Sequence, residues 1–298
     1  MSVLIVALAA LAAGRLGRRL CGDAFAATSA ALVYGLSPTI EVLARADART
    51  AGWTVLLPIL LICFYRSNES VESGFRAALP SGGVLALCGT LDPRVAIASG
   101  ILIGSLLLAG YLMDRQKSSA VWNPAFGRWL MASGIGVALY SPLWLWRTRH
   151  PVALPLEFSY EAINAARLLH PSPHYLGFAA CALAVAAVTL SRSYRGPARL
   201  WGWIAATMIW LSLGPDFRFG GRTFPWVPCL YLGASKLPWV RDVPPILFAA
   251  CGKLSLGILS AFGLLALSTR LPARHLLWTK IALTAATAAI LCADYLRA

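Results

Sequence analysis

The chain has 298 residues, 58% of them hydrophobic and only 13% charged, with a net charge of +14. Soluble domains are roughly a quarter charged and under half apolar, and disorder requires low hydrophobicity, so both classes are excluded and a polytopic membrane protein is expected. In such a protein a basic excess serves cytoplasmic loops facing anionic headgroups, and nucleic acid is not the expected partner.

In chain order, apolar runs occupy 2–13, 24–38, 52–65, 78–91, 95–113, 129–146, 175–191, 200–214, 246–268 and 276–293. A perpendicular span needs ~20 residues, and the shortest runs fall below that. Flanking aromatics such as Tyr34, Trp53, Tyr65, Trp201 and Trp203 can complete a span, or the run can be a half-span. The expected fold is all-α, a single integral-membrane domain over 1–298, forming a transmembrane bundle of eight to ten membrane helices.

The connections set the orientation. Segments 14–23, 66–76, 114–128, 192–199 and 269–275 carry 13 Lys/Arg in 51 residues, whereas 39–51, 92–94, 147–174, 215–245 and 294–298 carry 11 in 80. The denser side is cytoplasmic by the positive-inside rule. The N-terminus is then outside, and the two long loops, 147–174 and 215–245, face outward. Long loops gathered on one face are where a site is usually built.

Three outward stretches and one intramembrane residue carry candidate chemistry. In Ser37–Arg49, a helical turn would pair Glu41 with Arg45 at i,i+4 and leave Asp47 directed elsewhere, as a salt-bridged interfacial turn or as a carboxylate holding an acceptor hydroxyl or a metal. In 157–174, Glu157, Glu161 and Arg167 fit an amphipathic surface helix stopped by Pro171, with a paired-carboxylate hydrolase site as the alternative. The loop 213–245 offers Arg218, Arg222, Lys236 and Arg241 among aromatics and prolines. Arginine suits bidentate phosphate recognition, and aromatic walls suit a sugar ring or an isoprenoid chain. The alternative there is a rigid Pro-rich loop with snorkelling bases. Lys253, within the 246–268 run, is a costly intramembrane charge and so a functional candidate.

The seven cysteines form no C-x-x-C pair, and His170 and His174 are separated by prolines that break a shared helix face, so neither a disulfide framework nor a metal site is expected. No P-loop, G-x-G-x-x-G, G-x-S-x-G or D-x-D occurs, so nothing points to soluble-type nucleotide chemistry. No internal or inverted repeat marks a secondary transporter.

The order Gly35-Leu-Ser37-Pro38, a polar turn, Trp53 and Pro58 resembles bacterial GT-C-type integral-membrane glycosyltransferases. The later Leu213-Gly214-Pro215, Pro225, Pro238 and Arg241-Asp-Val-Pro244 resembles their late outer loop, and 157–177 is similar to their middle outer segment. The resemblance spans about 35 to 270 and implies the bacterial inner membrane. It also implies transfer of a sugar from a polyprenyl-phosphate donor at the outer face, with an Asp base in a first outer loop. That loop has no counterpart here, so the chain is expected to lack the family's first helix and first outer loop. Asp47 then stands as a local catalytic substitute, with Arg218, Arg222, Lys236 and Arg241 as substrate-binding residues.

Three readings remain open at this point. One is a glycosyltransferase-like enzyme binding a polyprenyl-phosphate lipid. The second is an inactive relative serving as a structural subunit among other membrane proteins. The third is a transporter or flippase, supported by Lys253 and the basic mouth. The sequence names no cofactor.

Overall fold

The computed structural model describes residues 2–46, 48–69, 74–113, 118–149, 176–190, 194–219, 222–270 and 276–296. The chain forms α1 (Ser2–Cys21), α2 (Ala24–Gly35), α3 (Pro38–Ala46), α4 (Ala48–Glu69), α5 (Gly74–Leu91), α6 (Pro93–Met113) and α7 (Ser118–Arg149). After these come α8 (Phe178–Leu190) and α9 (Arg195–Ser212), then a small hairpin of β1 (Arg218–Phe219) and β2 (Arg222–Thr223). The short helices α10 (Leu230–Ala234) and α11 (Pro238–Arg241) lead into α12 (Pro245–Ser268) and α13 (Leu276–Leu296).

Local chemistry sets the element ends. Gly22 takes a left-handed φ of 72° between α1 and α2, and Asp23 then caps α2, its Oδ1 accepting from the backbone N–H of Phe25 at 2.8 Å and Ala26 at 3.0 Å. At Ser37-Pro38 the chain breaks, because proline has no N–H to donate and disfavours a helical residue before it. The result is a bend of 53° between α2 and α3. α12 opens on Pro244-Pro245, with a proline in its first turn where no donor is needed.

The core is organised around α12, which is buried over 94% of its most apolar window. Its glycines let neighbours approach from three directions. A Cβ built on Gly252 would lie 2.9 Å from Ile209 of α9, on Gly257 3.1 Å from the Ala30 carbonyl of α2, and on Gly263 2.0 Å from the Leu183 carbonyl of α8. Close backbone approach through small residues is how helices pack where lipid removes the hydrophobic drive for association. Polar bonds add to this inside the bundle. The Trp53 indole of α4 donates to Ser99 Oγ of α6 at 2.9 Å, the Tyr34 hydroxyl of α2 donates to the Thr54 carbonyl of α4 at 2.9 Å, and Ser260 meets Ser29 across α12 and α2 at 3.3 Å.

By length and composition, α4, α6 and α12 are able to cross a membrane, and the bent pair α2–α3 makes a fourth span when counted as one. That is what a multi-pass integral membrane protein requires. The larger number read from the apolar runs rests on helices of another kind: α8 has 13 residues, α1 ends on Arg18 and Arg19, and α9 opens with arginines at 195 and 199.

Hydrogen bonds join the arginine-rich connections at one end of the bundle. Arg19 pairs with Glu69, Arg128 donates to the Ser67 carbonyl, and Arg270 donates to the Leu190 carbonyl at 3.3 Å. These contacts draw together the connections that the charge count grouped on one side. All seven cysteines are free thiols.

Candidate functional site

At the opposite end, the described residues between α9 and α12 form a cap. The Phe224 backbone N–H donates to the Phe217 carbonyl at 2.8 Å, and Phe217, Phe224 and Trp226 stack edge to face with centroids 6.2 and 5.9 Å apart. Trp210 of α9 donates to the Pro228 carbonyl at 3.2 Å, holding the hairpin against the bundle. The Tyr231 hydroxyl reaches the carbonyls of Val243 at 2.9 Å and Arg241 at 3.2 Å, and its ring packs edge-on against Phe248 of α12. One aromatic thus fixes α10 to the start of the central helix.

This scaffold separates the four cations. Lys236 and Arg241 line a single cavity of about 660 Å³, with Leu232, Ser235, Pro238 and Asp242 as its other walls. Arg218 pairs with Thr223 and Phe219 with Arg222 in the hairpin. Successive side chains on a strand point to opposite faces, so Arg218 and Arg222 project from opposite sides of the ribbon. Arg222 is exposed, whereas Arg218 is half-buried with its Nε–H meeting no acceptor. Only Lys236 and Arg241 converge.

In the stretch Ser37–Arg49, α3 covers Pro38–Ala46, and Glu41 pairs with Arg45 at i,i+4. Asp47 lies outside the described residues, as do Glu157, Glu161, Arg167, His170 and His174. Among the described residues no group of three His, Cys, Asp or Glu side chains is placed to hold a metal ion.

One further carboxylate, not among the sequence candidates, is described. Asp92, in the turn between α5 and α6, is 1% exposed. Its Oδ1 accepts from the Arg94 backbone N–H at 2.7 Å and from Arg94 Nε at 3.2 Å, while its Oδ2 is buried with no hydrogen-bond partner. α11, which carries Arg241, packs on α6, so the carboxylate begins the helix that supports the cation-lined cap. The signal was present as Asp-Pro-Arg immediately before an apolar run, an N-cap followed by proline.

Lys253 is 1% exposed on α12. Ser260 meets Ser29, and Gly257 faces Ala30. Continued one turn, this antiparallel register brings Lys253 to the level of Val33 and Tyr34, in the last turn of α2. The Ser37 hydroxyl, just past the end of α2, is fully buried with no hydrogen-bond partner.

In the loop, burial and the Asp216 carboxylate raise the Cys229 thiol above its ordinary value, so it stays protonated at neutral pH. No protein-family model matches this sequence, and no curated protein matches it.

Proposed function

We infer that the chain is a GT-C-like membrane protein of the bacterial inner membrane that transfers a sugar from a polyprenyl-phosphate donor at the outer face. In this reading eight to ten of its helices cross the bilayer, the N-terminus is outside, and the cap of 213–245 faces outward. Support for the span number is that each of the ten apolar runs overlaps a helix of its own.

The observation that carries the reading is the convergence of Lys236 and Arg241 on one cavity, whose other walls are Leu232, Ser235, Pro238 and Asp242. Two cations can hold a phosphate diester as charge builds on it, and such transfer depends mainly on positioning and phosphate stabilisation. In the transfer step an acceptor oxygen attacks the anomeric carbon while the bond from that carbon to the phosphate oxygen breaks. The polyprenyl phosphate leaves with the electron pair, and the acceptor proton passes to a carboxylate. Asp47 is the local substitute for the base that the resemblance implies, and Asp92 Oδ2 is a second candidate acceptor, at the start of the helix on which α11 packs.

Titration of the purified chain with a polyprenyl phosphate tests this, with the uncharged polyprenol as comparator. Binding of the phosphate should weaken at least about tenfold in K236A/R241A and change little in R222A. Equal binding of phosphate and alcohol, or unchanged binding in the double variant, overturns the reading.

A further inference from the structure

The arginine-rich end holds a second cavity that the outward site does not use. It measures about 1030 Å³, at the upper limit of the roughly 300–1,000 Å³ usual for ligand cavities. It lies where the C-terminal ends of α1, α4, α6, α8 and α12 meet the first half of α9, through Leu20, Tyr65, Met113, Val188 and Phe262. Eight α9 residues between Gly196 and Ala206 line it, among them Arg199, Trp203 and Ala206 at positions spaced to share one helix face. Arg195 lies one turn before Arg199 on that face and is exposed. Trp203 and Met113 on the rim are exposed as well, at 63% and 41%. No carboxylate lines the cavity among the described residues.

A hollow of this composition has two chemistries stacked along α9. The Arg199 guanidinium belongs to the lining and Arg195 lies one helical turn from it, while aromatic and aliphatic side chains, the buried Trp201 and Phe262 among them, form the remaining walls. A soluble anion would satisfy the first and leave the second wet. A neutral lipid would fill the second and ignore the first. A basic pocket between helices on the cytoplasmic side of a bundle is the usual setting for an anionic lipid headgroup. Arginine forks match phosphate oxygens bidentately, and an indole at the rim suits the boundary between headgroup and acyl chain.

We propose that this cavity is a binding site for an anionic phospholipid of the surrounding bilayer, its phosphate on Arg195 and Arg199 and an acyl chain along Trp203, Ala206 and Phe262. The site is independent of the outward cavity, since it lies at the other end of the bundle and shares no lining residue with it.

The test is native mass spectrometry of the full chain released from detergent, with phosphatidylglycerol and phosphatidylcholine of identical chains as probes. Phosphatidylglycerol should be retained at least about fivefold more than phosphatidylcholine, and R195A/R199A should remove that preference. R15A/R18A takes the same charge from the same end outside the cavity and should leave it. A206W fills the hollow and should reduce retention of both lipids.

Equal retention of the two lipids by the unmodified chain, or an unchanged preference in R195A/R199A, overturns the proposal. Should the double variant fail to fold, quenching of the unmodified chain by brominated phosphatidylglycerol decides instead. A saturable component lost in Trp203→Phe supports the site, and quenching equal to that by brominated phosphatidylcholine rejects it.

Discussion

Gly263 of α12 lies so close to the Leu183 carbonyl of α8 that a Cβ on the glycine would sit 2.0 Å from that oxygen. No rotamer change relieves this, because both partners are backbone, so the two helices would have to separate. Gly263→Ala should therefore destabilise the chain by about 3 kcal/mol, at the upper end of overpacking costs. Gly83, whose Cβ would meet nothing within 4 Å, is the control. Gly83→Ala should be neutral or gain up to ~1 kcal/mol from helix propensity. Thermal unfolding in one detergent reads both, and equal midpoints for the two variants would contradict the packing described.

The Trp53–Ser99 bond joins two spans where no water competes. Ser99→Ala leaves the indole N–H of a fully buried tryptophan unsatisfied and should cost about 1–3 kcal/mol, whereas Trp53→Phe/Ser99→Ala removes both partners and should show non-additivity. A double-mutant cycle by denaturation measures it, and strict additivity would show that the bond contributes nothing.

Tyr231 should act on the order of the cap more than on the bundle. Tyr231→Phe keeps the ring against Phe248 and deletes the bonds to Arg241 and Val243. Global stability should fall by about 1 kcal/mol, while amide exchange in 229–243 accelerates by a larger factor because local opening is released. Unchanged exchange there would mean that Tyr231 does not hold α10 to α12.

The Cys229 thiol is raised first by burial and then by the Asp216 carboxylate. A raised thiol has less thiolate at a given pH, so labelling at pH 8 should be slow and increase about tenfold per pH unit below the thiol pKa. Asp216→Asn removes the second cause and should speed labelling about twofold or more. The measurement is maleimide modification of a chain whose other cysteines are serine. A rate indifferent to Asp216→Asn would remove the carboxylate from the thiol's surroundings.

Asp92 distinguishes capping from chemistry. Asp92→Asn can still accept from the Arg94 N–H and should be tolerated in folding, whereas Asp92→Ala loses the cap and about 1–2 kcal/mol. Sugar transfer lost in Asp92→Asn with unfolding unchanged would assign a proton-accepting role to Oδ2, and transfer retained would confine Asp92 to capping α6.

Composition, apolar runs and loop charge were enough to determine a helical integral membrane protein with its basic connections at one end, because burying backbone in lipid allows helices and the charge of short loops is written residue by residue. The Glu41–Arg45 pair was legible for the same reason, since i,i+4 spacing acts within one turn, whereas the break at Ser37-Pro38 falls inside an apolar run, 24–38, that reads as continuous. Which cations share a cavity was not legible either. Strand pairing in the hairpin turns Arg218 and Arg222 to opposite faces, and the Tyr231 anchor brings Lys236 and Arg241 together. The weight of Asp92 was equally hidden, because burial of one carboxylate oxygen depends on helices far apart in sequence. The central place of α12 likewise emerges only when Gly252, Gly257 and Gly263 each meet a different neighbour. Periodicity and charge are local properties of a chain, whereas convergence on a cavity depends on how distant segments pack, and so only the tertiary structure decided it.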